Sequence, residues 1–143
     1  MRTPRSAFVA RAFCRPEILL RAVLKKLSLG SLEFRLAFEA IDRPWYARGI
    51  YEAACLAQSL KEPAISVIEF GVAQGNGLVA MEKLASEIGK HLGVLIHTFG
   101  FDSGEGMPSS GDYRDLPYVW QRGLYKMDVE ALRARLATTR LIL

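Results

Sequence analysis

Three features of the sequence predict an α/β protein built on a parallel, doubly wound sheet. A β-branched, nearly all-apolar run, 64-AISVIEF-70, is followed by a glycine-rich loop and an amphipathic helical segment. A second β-rich run, 94-VLIHTFGF-101, ends at an acid, and 140-RLIL-143 opens a third after another helical segment. Strands that alternate with helices are joined by right-handed crossovers, which place them parallel in one sheet. The first run lacks polar alternation, which is how a strand buried on both faces of such a sheet reads.

The elements before the sheet are predicted to be helical. In 17-EILLRAVLKKLSL-29 the residues Ile18, Leu19, Ala22, Val23 and Leu27 recur at helical spacing, and Gly30 supplies a stop. A second helix is expected over 32-LEFRLAFEAI-41. A third begins at Pro44, with Asp42 near its cap, and runs to Leu60 until 61-KEP-63 breaks it. The expected organisation is a helical N-terminal extension over residues 1–62 and an α/β portion over 63–143. Within the second portion, Leu78, Met81, Leu84, Ala85 and Ile88 mark one face of a helix over 77–93. Residues 103–127 read as a loop rich in Gly, Pro, Ser and aromatics, and Asp128 caps a helix over 129–137.

Composition narrows the function classes. The chain has 143 residues, half of them hydrophobic, enough for one compact core. No apolar run approaches the roughly 18 residues needed to span a bilayer, which excludes a membrane-spanning protein. Cys14 and Cys55 match neither a metal pair nor a disulfide framework and point to a reducing, cytoplasmic compartment. Residues 1–48 hold ten of the 19 Lys/Arg and only four of the 15 Asp/Glu, so the net charge of +4 originates there. The basic start has no acid before Glu17, as a transit peptide would, but only Thr3 and Ser6 as early hydroxyl residues. Phe8 and Phe13 are its sole interleaved aromatics, which argues against a nucleic-acid arm and leaves a solvated helical face as the simplest reading.

The stretch 69-EFGVAQGNG-77 concentrates the functional signal. In a parallel sheet the ligand crevice lies at the carboxyl ends of the strands, and Gly71, Gly75 and Gly77 fall there. Their spacing, GxxxGxG, does not fit the dinucleotide fingerprint GxGxxG, and no GK[ST] follows to make a P-loop.

Glu69-Phe70-Gly71-Val72-Ala73-Gln74-Gly75-Asn76-Gly77 resembles the first motif of the class I S-adenosylmethionine-dependent methyltransferases, (D/E)xGxGxG, with Ala73 at the middle glycine position. In that family the second strand ends in an acid that binds the cofactor ribose, and Asp102 stands at that place, 25 residues after Gly77. The segment 101-FDSGEGMP-108 resembles the FD-x-x-x-G-[LM]-P segment of the branch containing the macrocin-type sugar O-methyltransferases. The resemblance implies a Rossmann-like domain that binds S-adenosyl-L-methionine through Glu69, Gly71, Ala73, Gly75, Gly77 and Asp102. It further implies in-line methyl transfer to an oxygen of a small molecule or sugar. Glu69 would hold the loop and face the cofactor ammonium, or it caps nearby backbone amides. Asp102 would accept both ribose hydroxyls, or it starts an Asx turn, Asp-Ser-Gly being good turn chemistry.

The sequence does not reveal a general base. His97 reads as a sheet or core histidine, and His91 as a surface residue near a helix C-terminus. Glu105, Asp112 and Asp115 form a candidate divalent-metal set, as in some sugar O-methyltransferases, although exposed loop carboxylates with no fixed spacing are ordinary. Tyr113, Tyr118, Trp120 and Tyr125 line an acceptor pocket or lid, or simply pack. The family domain has seven strands and this chain supplies three, so the expectation is the N-terminal part of a longer enzyme. Such a part should be weak in catalysis and should self-associate through the open edge of its first strand. The alternative expectation is a non-catalytic interaction module that retains the half-sheet and binds a partner through its basic helices.

Overall fold

A computed structural model of the chain describes residues 16–143. Cys14 and the basic start of the chain lie outside the described residues. The chain divides into two compact units, residues 1–48 and 49–143. The division falls inside the third helix.

In the first unit, helix α1 (Pro16–Leu27) and helix α2 (Leu32–Ala37) precede helix α3 (Pro44–Leu60), which crosses into the second. Ser31 caps α2 by accepting the Phe34 N–H at 3.2 Å. The expected extension of α2 to Ile41 does not occur. Glu39 takes a φ of 51°, and the Ala40 N–H reaches back to Arg35 O at 2.8 Å, a Schellman closure. Ser28 and Lys61 end α1 and α3 in the same left-handed conformation, so the stop of α1 is Ser28 and not Gly30. Asp42 does not cap α3 either. Its carboxylate holds Lys25 Nζ at 2.8 Å, and this bond to Lys25 draws its pKa below the usual carboxylate value. Along α3 the buried residues are Ala47, Ile50, Ala54 and Ala57, a stripe at helical spacing.

The second unit is mixed α/β, half of a Rossmann-like architecture. Strand β1 (Ala64–Phe70) leads through the glycine loop into helix α4 (Asn76–Leu92), which is followed by strand β2 (Leu95–Phe101). After the long loop, which holds a single 3-10 turn at Tyr113–Asp115, helix α5 (Val129–Arg133) precedes strand β3 (Arg140–Ile142). The sheet order is β1-β2-β3 and both pairs are parallel. Helix α4 covers one face. Leu78, Met81, Leu84, Ala85 and Ile88, the face expected from the sequence, are all buried, each large side chain contributing about 1.5–3 kcal/mol. The fit is close at Gly100, where a Cβ would stand 2.6 Å from Leu78 Cδ2.

The opposite face is uncovered among the described residues, and here the sequence expectation of a strand buried on both sides fails. Side chains alternate along a strand, so Ile68 and Phe70 share a face with Leu95, Phe101 and Ile142. Phe70 is 76% exposed, Leu95 59% and Ile68 50%. Phe70 stacks on Phe101 with ring centroids 5.3 Å apart. Residues 103–127 are less irregular than their composition suggests. The Met107 N–H donates to Leu124 O at 2.8 Å and the Gly123 N–H to Met107 O at 2.9 Å, so the two arms of the loop meet in a neck. Below the neck, Met127 is buried and its N–H donates to Gly104 O at 3.2 Å. Among the described residues no helix is long and apolar enough to cross a membrane.

Candidate functional site

The register of the first two strands sets the site. Glu69 pairs with Gly100 and Phe70 with Phe101, and the Gly71 N–H extends the ladder to Phe101 O at 2.9 Å. The glycine loop therefore leaves β1 directly beside Asp102, the residue that follows β2. Asp102 Oδ2 accepts the Ala73 N–H at 3.0 Å, and Oδ1 accepts the Gly104 N–H at 2.7 Å. The second bond is the Asx turn of Asp-Ser-Gly. The first ties the glycine loop to the end of β2. Each carboxylate oxygen has two lone pairs, so one amide on each leaves capacity for a further donor such as a hydroxyl.

Glu69 and Gly77 explain each other. Glu69 lies on the α4 side of β1 and is half-buried, and Gly77 is in the first turn of α4. A Cβ at Gly77 would overlap Glu69 Oε1 and stand 2.9 Å from Cδ. Only glycine lets the carboxylate rest against the helix N-terminus, where the helix dipole favours negative charge. Gly75 is the N-cap of α4 at a φ of 75°, with no side-chain cap. Its missing Cβ makes room for Leu132, a fully buried residue of α5 whose Cδ2 would otherwise be 2.8 Å away. Gly71, with a φ of 77°, faces open space. Ala73, which replaces the middle glycine, is held at a φ of 50°, left-handed backbone that costs an alanine about 1 kcal/mol.

The sequence reading missed the residues that hold this loop from outside. Arg135 donates through Nη1 to Gln74 O at 3.1 Å and through Nη2 to Asn76 Oδ1 at 2.8 Å. Gln74 Nε2 in turn donates to Lys126 O at 3.1 Å. These partners are separated by 52 to 61 positions, so no local pattern could have shown them. The expected helix over 129–137 ends at Arg133, and the residues beyond it turn to a carboxylate of α4. Glu82 accepts the backbone N–H groups of Ala137, Thr138 and Thr139 and the hydroxyls of both threonines.

The remaining candidates are scattered. Glu105 stands 3.9 Å from Lys126 Nζ, Asp112 pairs with Arg114, and Asp115 accepts from Ser110. The Arg114 side chain holds the Asp112 carboxyl below its ordinary value. Among the described residues no three His, Cys, Asp or Glu side chains stand together as metal ligands, so the candidate set of Glu105, Asp112 and Asp115 is not assembled. Trp120 and Tyr125 approach with centroids 6.4 Å apart, and both are exposed, as are Tyr113 and Tyr118. His91 is exposed near the end of α4. His97 is exposed on β2 and is not a core residue. It borders a cavity of about 570 Å³ beside the amino-terminal half of β2, away from the glycine loop. Comparison of the chain with protein-family models, with curated proteins and with solved structures finds no match.

Proposed function

We propose that the second unit is the cofactor-binding half of a class I S-adenosylmethionine-dependent methyltransferase, acting on an oxygen of a small molecule or sugar. The observation that supports this reading is the pair of carboxylates bracketing one glycine loop at the carboxyl ends of adjacent parallel strands: Glu69 against Gly77, and Asp102 on the Ala73 N–H. The residues fit the cofactor. Gly71 offers open space for close backbone approach, Glu69 supplies an anion toward an ammonium, and Asp102 retains lone pairs for two vicinal hydroxyls. The bound cofactor would supply an electrophilic methyl group on a sulfonium sulfur. The chain's own part is to orient that group, and orientation alone lowers such a barrier by several kcal/mol. No side chain near the loop is assigned as general base, since both histidines lie elsewhere.

A second reading, a non-catalytic module, is favoured by one observation: both Asp102 oxygens already hold backbone amides and so serve the fold without a ligand. Isothermal titration with S-adenosylhomocysteine, with NAD as control, separates the two. Saturable binding of the former alone supports the methyltransferase reading. A folded chain that binds neither refutes it and leaves the module.

A further inference from the structure

Helix α1 presents its apolar side outward. At 3.6 residues per turn, Leu19, Leu20, Val23 and Leu27 fall within about 100° of arc, the width of stripe that ordinarily faces a core. No residue of α1 is buried, and these four are 42% to 59% exposed. The other side of the helix makes the contacts. Arg21 Nη1 donates to Glu39 at 2.8 Å and Lys25 Nζ donates to Asp42 at 2.8 Å, and Glu17 falls on this same side. The first unit is thus held to α1 by ion pairs, and whatever covers the apolar stripe can do so without breaking them.

Area and charge select the occupant. The four side chains expose roughly 400 Å², so two copies joined along α1 would bury about 800 Å², the scale of a packing contact and below that of a stable dimer. A lipid surface needs no matched partner face and adds electrostatic attraction to the apolar term. The charge for that is on hand. Lys26 is exposed and flanks the stripe beside Leu19. Residues 1–15 run directly into α1 with Arg2, Arg5, Arg11 and Arg15 and no acid, and chain length alone keeps Arg11 within about 18 Å of Pro16. Each Lys or Arg held near an anionic leaflet strengthens binding about fivefold. We propose that α1 seats the protein on an anionic phospholipid surface, its apolar stripe in the acyl boundary and Lys26 and the preceding arginines on the headgroups. The helix lies in the interface and does not cross it. The proposal is independent of the glycine loop and stands or falls separately from the methyltransferase reading.

The test is co-sedimentation of the full chain with vesicles of phosphatidylcholine alone and of phosphatidylcholine with about 30 mol% phosphatidylserine, at about 0.1 M salt. The anionic vesicles should bind the chain about tenfold or more tightly than the neutral ones, and added salt should release it. Val23→Glu, at the centre of the exposed stripe, should weaken that binding about tenfold while the circular dichroism spectrum stays that of the parent. Leu56→Glu makes the same charge change at a leucine of α3 that is 60% exposed, and it should bind as the parent does. The proposal is overturned if the folded chain binds neither vesicle or both equally. It is overturned too if Val23→Glu binds like the parent, or if Leu56→Glu loses as much, since the stripe is then not the contact. A dimer in vesicle-free sedimentation velocity that Val23→Glu dissolves would assign the stripe to a second copy instead.

Discussion

Glu82→Gln removes one negative charge from a position where five donors converge. In the parent the carboxylate accepts the N–H groups of Thr138 at 2.6 Å and Thr139 at 2.7 Å, that of Ala137 at 3.0 Å, and the two threonine hydroxyls. Desolvation raises its pKa, but the amides of Thr138, Ala137 and Thr139 and the Thr139 hydroxyl outweigh that effect and bring it from 4.5 to about 2. Taken in full, that displacement corresponds to about 3 kcal/mol of folded-state stabilisation. The group stays partly hydrated, so screening reduces the expected loss in Glu82→Gln to about 1–2 kcal/mol at neutral pH. The sign follows from the lowered pKa. The stabilisation is complete above the unfolded value of 4.5 and disappears as pH falls toward about 2. Urea unfolding followed by circular dichroism, on parent and variant from neutral pH downward, should show a stability difference that closes in that window. A difference that stays constant across the window, or none at neutral pH, would refute the assignment of Glu82 as the anchor of residues 137–139.

Three other outcomes follow from the same geometry. Gly77→Ala should destabilise the chain by about 2 kcal/mol or more in the same unfolding assay, because its Cβ displaces the Glu69 carboxylate from the first turn of α4; wild-type stability would show that the loop relaxes freely. Ala73→Gly should stabilise by up to about 1 kcal/mol by removing left-handed strain, less the added freedom of the unfolded glycine. A loss of stability there would mean the Ala73 methyl group packs. Phe70→Glu, at the most exposed large hydrophobic of β1, should lower concentration-dependent association in sedimentation velocity, and a parent that is already monomeric at all concentrations removes the open sheet face as an association surface.

Elements with strong local signals were legible in the sequence. Strand β1 carries a β-branched run, and α4 carries five apolar residues at helical spacing; both formed where the pattern placed them, within one residue. The ends of α1 and α2 were harder to read, because Ser28 and Glu39 adopt the conformation for which glycine is the usual marker, whereas α3 ends at Leu60, where 61-KEP-63 placed its break. Of the loop candidates, Glu69, Ala73, Gly75, Gly77 and Asp102 meet as one cluster because β1 and β2 are neighbours in register. Arg135, Leu132 and Glu82 were not legible. Each acts across more than 50 positions, and an arginine or glutamate on a helix looks the same in sequence whether it faces water or a distant backbone. The loop carboxylates showed the reverse problem, since acids close in sequence took separate partners.

The neck at Met107 and Leu124 has a consequence for how the protein can vary. Both arms are fixed there by main-chain hydrogen bonds, so the sixteen or so residues beyond them form a cassette whose length does not enter the geometry of Asp102. Closing a loop costs little more when it is lengthened, and tips held at a fixed base accept insertion and nicking. Grafting a different tip between these two residues should therefore leave the glycine loop undisturbed, and diversification of whatever the tip contacts can proceed without touching the scaffold beneath.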